Sequence, residues 1–262
     1  MSYVVICATA FLVSGLTLFS GFGLGTVLMP VFAIFFSIEV AVAATAVVHG
    51  ANNIFKMFLV GRHADYGLVW RFGIPAMLSA LAGAAVLSHI AGFGQLASYT
   101  IFSKTAVITP IKLIMSLIIF IFSLFELLPV LQNLRFDRKF LPLGGLLSGF
   151  FGGLSGHQGA LRSAFLTKTG VSPQAFVGTN AVIGFMVDMA RIAAYGVLLF
   201  SARQSDTIGP DQWPLVLSGT FAAFAGVVFG KRFLHKITMK TVQSITGAFL
   251  LFIALALGGG LI

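Results

Sequence analysis

Ser20-Gly21-Phe22-Gly23-Leu24-Gly25-Thr26 interrupts an apolar run that extends from about residue 2 to 37, and Ser155-Gly156-His157-Gln158-Gly159 interrupts another from about 141 to 169. Each run is long enough to enter a bilayer, and each breaks at a cluster of small or polar residues. An uncoiled stretch in hydrocarbon leaves backbone N–H and C=O groups without partners, so it persists only where protein or an aqueous cavity surrounds it. Two such breaks therefore mark the interior of a membrane protein.

Composition agrees with that reading. The chain has 262 residues, 58% hydrophobic and 9% charged, with a mean hydropathy of +1.03. A soluble chain carries roughly 25% charged residues, so this one cannot cover a water-facing surface. A spanning helix takes about 20 residues, so about eight membrane segments fit and little chain is left for a soluble domain or extramembrane catalysis. The net charge of +9 reads as Lys and Arg retained on the cytoplasmic side and not as a nucleic-acid footprint. A lone Cys7 excludes an intrachain disulfide and supplies no metal-ligand spacing, so no metal, cofactor or nucleic acid is expected. No basic n-region precedes the first apolar stretch, which predicts a retained first helix.

The other apolar segments run from about 39 to 59, 68 to 90, 105 to 131, 172 to 200, 214 to 230 and 241 to 260. The basic stretch around Arg135, Arg138 and Lys139 lies at the midpoint. It divides the chain into a first transmembrane repeat over 1–131, a cytoplasmic linker over 132–140 and a second repeat over 141–262. A shift of 135 residues puts Ser20 on Ser155, Gly21 on Gly156, Ser37 on Ser172, Asn53 on Asp188, Lys56 on Arg191 and Gly61 on Gly196. Segment boundaries, glycine break and intramembrane polar pair agree at one offset, which predicts a duplicated four-segment unit.

Charge decides how the broken segments sit. If they cross, the basic residues divide evenly between the two sides. If each dips in and returns, Arg62, Arg71, Arg135, Arg138, Lys139, Lys168, Lys231, Arg232, Lys236 and Lys240 share one face, opposite Lys104 and Arg203. The second arrangement satisfies the positive-inside rule. The expected fold is an all-α polytopic membrane protein with two inverted repeats, each opening with a broken or re-entrant helix and both termini outside.

After each break a half-helix starts, with unpaired N–H donors and about half a positive charge at that end. Such ends attract anions. The candidate binding residues are Gly21, Gly23, Gly25 and Thr26 in the first break and Ser155, Gly156, His157, Gln158 and Arg162 in the second. An imidazole and an amide can donate to an oxyanion, and a guanidinium among apolar neighbours normally faces the bundle interior or a water-filled cavity. Thr45, His49, Asn52, Asn53, Thr179, Asn180, Asp188 and Arg191 form a second polar set for a pathway or coupling. His49, Asn52 and Asn53 share a helix face by their spacing, Asp188 and Arg191 fit an internal ion pair, and Lys56 is expected to snorkel.

Gly21-Phe22-Gly23-Leu24-Gly25-Thr26-Val27-Leu28-Met29-Pro30 resembles the glycine-rich, proline-terminated stretch that opens each half of the sulfite exporter TauE/SafE family, also called the toluene-sulfonate uptake permease family. Residues 43–48 and 178–183 resemble its following helix. In the second copy His157, Gln158 and Phe165 replace the expected glycines and proline. The resemblance implies secondary transport of a small sulfur-containing anion such as sulfite or an organosulfonate, by alternating access in the bacterial inner membrane, with export ahead of uptake. The implied partners are a small anionic substrate and the lipid bilayer, with room for a homodimer. No catalytic residue is assigned. The alternatives are an anion channel and a lipid-phosphate hydrolase built on Ser155, His157 and Arg162, which would need a carboxylate near that loop; none is expected there.

Overall fold

The computed structural model describes residues 1–20, 23–101, 104–201, 208–233 and 239–262. The helices longer than one turn are α1 (Ser2–Ser20), α2 (Leu24–Ala33), α3 (Ile38–Val60), α4 (Tyr66–Ala91), α5 (Pro110–Leu127), α6 (Leu141–Ser155), α7 (Gly159–Leu166), α8 (Pro173–Ser201), α9 (Trp213–Phe233) and α10 (Met239–Gly258). Among the described residues, Ile38–His63, Tyr66–Ala91, Pro110–Leu127, Pro173–Val197 and Trp213–Gly230 are long and apolar enough to cross a membrane. The fold is all-helical and polytopic, apart from one short hairpin. Helix α4 widens into a π turn over Val69–Gly73, because Pro75 offers no N–H and crowds the carbonyl four residues earlier.

The hairpin corrects the expected start of the fourth segment. Residues from 105 onward read as one apolar run, but Ala97–Ile101 (β1) pairs antiparallel with Lys104–Ile108 (β2), and the helix begins only at Pro110. Thr105, Val107 and Ile108 suit a strand. Thr109 then caps the helix by accepting from Lys112 N, and Pro110 occupies its first position, where a missing N–H costs nothing.

Helix pairing follows the 135-residue shift. Helix α4 packs along α6 and α1 along α9, while α3 packs on α8 and α5 on α10. The α4–α6 contact is backbone on backbone. A Cβ at Gly145, Gly149 or Gly153, spaced four apart, would lie 2.3, 2.0 and 2.0 Å from the carbonyl oxygens of Phe72, Ala76 and Ala80. Small residues permit this approach where lipid supplies no hydrophobic drive. Gly149→Val is expected to destabilise by about 2 kcal/mol through overpacking, read as a lower unfolding temperature in detergent; unchanged stability would mean that the helices can part freely.

Both broken segments double back. At the base of α6 and α7, Arg138 donates to the Thr169 carbonyl, and Lys168 Nζ lies 2.5 Å from Asp137 Oδ1. The Phe136 and Phe165 rings stack 4.2 Å apart there. Lys168 also holds the exposed Asp137 carboxyl below the usual carboxylate range. In the first half, Ile6 of α1 and Phe32 of α2 lie against the same glycine, Gly219.

Helices α3 and α8 run antiparallel: Asn53 bonds Asp188, while Val60 of α3 lies against Gly178 of α8. Helix α3 begins just after α2 and α8 just after α7, so the two helical hairpins enter from opposite ends of this pair. Those ends are about 34 Å apart at 1.5 Å per residue. The tips meet between them, where a Cβ on Gly25 would lie 3.1 Å from Gly156 O.

Candidate functional site

Each break turns on a glycine that needs a backbone other residues rarely adopt. Gly23 precedes α2 with φ 123°, and Gly156 ends α6 in the left-handed region with φ 81°. Neither α2 nor α7 has a side-chain cap, so both half-helices present unpaired N–H groups near the junction of the tips. Gly25 and Thr26 are buried in the first turn of α2. Gly21 lies outside the described residues.

Around this junction a polar network centres on the Asp188 carboxylate. Its Oδ1 accepts from Arg191 Nε at 3.0 Å and Nη2 at 2.8 Å, and from Gln158 Nε2 at 3.2 Å. Its Oδ2 accepts from His49 Nδ1 at 2.7 Å and from Asn53 Nδ2 at 2.9 Å. Asp188 and Arg191 thus form an internal pair, and the pair also secures the second break: Arg191 Nη1 donates to Gly152 O, and Tyr195 donates to Gly153 O. A carboxylate therefore does stand beside the Ser155–Arg162 loop, contrary to the expectation that none would. Reading along the chain misses it because Asp188 lies on α8, thirty residues from Gln158.

Arg162 is 1% exposed. Its Nε donates to Asn180 Oδ1 at 2.7 Å and its Nη1 to Gln158 Oε1 at 3.1 Å. These hydrogen bonds go to neutral amides, while the carboxylate that could have balanced the guanidinium is bonded to Arg191. Such a group is oriented by neutral amides and shares its nearest carboxylate with Arg191. Its forked donors suit an oxyanion.

His157 is wholly buried, with its ring 5.2 Å from Phe122 and nearly parallel to it. Nδ1 donates to Ser155 O at 3.0 Å. The neutral ring therefore offers a lone pair at Nε2, which has no partner among the described residues. His157 donates to an anion only after taking a proton. Ser155 hydrogen-bonds its own helix at Phe151 O, and Ser148 holds the Gln158 carbonyl.

The second polar set divides. His49, Asn53, Asn180, Asp188 and Arg191 join the network. Asn52 instead accepts from Ser14 of α1 at 2.8 Å, Thr45 bonds Ala41 O on its own helix, and Thr179 accepts from Asp65 N at the start of α4. Lys56 does not snorkel. It is 5% exposed, and its Nζ donates to Thr17 Oγ1 at 2.6 Å. Its match with Arg191 at the 135-residue shift is the signal that points inward. Among the described residues no group of His, Cys, Asp and Glu could hold a metal ion.

The profile described as Sulfite exporter TauE/SafE matches residues 6–257. No curated protein and no solved structure matches the chain.

Proposed function

Because the chain belongs to the sulfite exporter TauE/SafE family, a family of membrane transporters, we propose that it carries sulfite or an organosulfonate across the bacterial inner membrane by alternating access. The observation that carries this reading is Arg162: a buried guanidinium, held by two neutral amides, beside two uncapped half-helices. The α7 and α2 N-termini bind the oxyanion, Arg162 balances its charge, and Gln158 and Thr26 orient it. His157 is the candidate proton carrier.

In the bilayer the two helical hairpins enter from opposite faces, as inverted repeats with both termini outside. Lys112, whose Nζ donates to Val107 O at the start of α5, joins Lys104 on the outer side, to which the charge pattern also assigns Arg203; Arg203 and Lys236 lie outside the described residues. Ten basic residues then stand inside against three outside, which still obeys the positive-inside rule. Export of an anion from a negative-inside cell is favoured by about 2.3 kcal/mol per charge per 100 mV, so an exporter runs downhill without a second ion.

Asp188 does not favour a hydrolase, since both of its oxygens already accept from donors. A general base needs a free lone pair. Proteoliposomes loaded with labelled sulfite, sulfoacetate or taurine are expected to release at least one of them at a turnover far below channel rates. No movement of any of the three in either direction removes the transporter reading.

A further inference from the structure

The 135-residue shift pairs Lys56 with Arg191 and Asn53 with Asp188. In the second half the cation has its acid three residues earlier, and the two are bonded. In the first half that acid is an asparagine. Among the described residues Lys56 is therefore left without the counter-ion that its counterpart enjoys, although it too is buried.

Among the described residues the surroundings of Lys56 supply a hydroxyl acceptor and an amide donor and no carboxylate. Its Nζ bonds the Thr17 hydroxyl, which donates in turn to Ser14 O at 2.9 Å. One helical turn earlier, Asn52 Oδ1 accepts from Ser14, and Asn52 Nδ2 is buried with no partner among the described residues. Thr17 also touches the first break, lying 3.3 Å from where a Gly23 Cβ would be. Arg162 reaches the same stretch of α3: a Cβ on Gly184 would lie 2.6 Å from Asn53 Nδ2 and 3.3 Å from Arg162 Nη1, and Asn53 is three residues before Lys56. Among the described residues the buried cations are Lys56, Arg162 and Arg191 and the buried acids Asp188 and Glu126; Glu126 sits apart, where α5 meets Gly247 of α10, so Asp188 is the one carboxylate bonded into the network at the tips. Buried like charges without partners are costly, and an anion between them relieves both.

We propose that Lys56 is a second cationic anchor of the transport site and that the site is built for an oxyanion carrying two negative charges. Arg162 holds it from the second repeat, Lys56 and Asn52 from the first. The inference rests on the anion-transport reading above, and its test separates the two.

The purified full chain in detergent is titrated with sulfate, ethane-1,2-disulfonate and ethanesulfonate, with binding followed by equilibrium dialysis. At least one two-charge probe is expected to bind about tenfold more tightly than ethanesulfonate, the worth of one added charge-assisted contact. Sulfate ahead of the disulfonate marks a compact dianion, and the reverse a two-headed one. Lys56→Met is expected to bring the ratio to within about twofold while leaving ethanesulfonate binding in place, and Lys56→Arg to keep the preference. Asn52→Asp, which sets a carboxylate one turn from Lys56, gives the same collapse without removing the lysine. Equal affinity of the unaltered protein for one-charge and two-charge probes overturns the proposal. So does an equal loss for both classes in Lys56→Met, which marks a structural lysine. Failure of all three anions to bind removes the transport reading with it.

Discussion

Arg162→Met is expected to weaken anion binding by about 3 kcal/mol, on the order of 100-fold, because it truncates one partner of a buried charge contact. The same change is expected to leave the empty protein at least as heat-stable as the parent. These two outcomes belong together. A buried cation that stabilises the fold is bonded to an acid, and removing it loses that bond. Among the described residues the Arg162 side chain bonds the amide oxygens of Asn180 and Gln158, so methionine leaves two acceptors unmet, at about 1–3 kcal/mol each. It also relieves a desolvated charge, worth several kcal/mol. Sulfite binding and the unfolding temperature of the ligand-free protein, measured side by side, check both halves. Unchanged affinity removes Arg162 from the site, and a large loss of stability makes it structural.

Asp188→Asn reverses the pattern. Asp188 joins α3, the second break and α8 through His49, Asn53, Gln158 and Arg191. Neutralising it leaves Arg191 buried beside Arg162 with no carboxylate partner for either. Breaking a buried pair from one side costs about 3–5 kcal/mol, so the single variant is expected to unfold far below the parent. Adding Arg191→Met should recover part of that loss, since both charges then leave together. Thermal unfolding of the two variants in one detergent decides it. A stable Asp188→Asn protein would show that the carboxylate is not what holds the breaks in place.

The breaks were legible because they leave linear traces. Glycine clusters interrupt apolar runs at Gly21–Gly25 and at Gly156–Gly159, and the Asp188 to Arg191 spacing suits a pair on one helix turn. What escaped depends on neighbours from distant parts of the chain. Lys56 reads as a residue near a helix end, and only the close approach of α1, bringing Thr17 to its Nζ, makes it buried. Thr179 and Thr45 look like pathway hydroxyls by position, yet one receives the Asp65 N–H and the other its own helix. Asn52 and Asn53 are adjacent, and a helix sends them to different partners, Ser14 and Asp188. The β1–β2 hairpin was hidden inside an apolar stretch, where hydropathy does not separate strand from helix. Its clearest mark was Thr109-Pro110, a helix start in the middle of what reads as one segment.

Asn53 and Asp188 lie 135 residues apart, the offset at which the two glycine breaks align, and they touch each other. Two identical subunits meeting at that contact would set aspartate against aspartate or asparagine against asparagine, giving either mutual repulsion or no acid for any arginine nearby. Joining the halves in one polypeptide lets the twins differ at their point of contact, so a single carboxylate serves both. A centre with one carboxylate and one amide at this contact needs two different side chains, which a single polypeptide supplies and a symmetric pair of identical chains cannot.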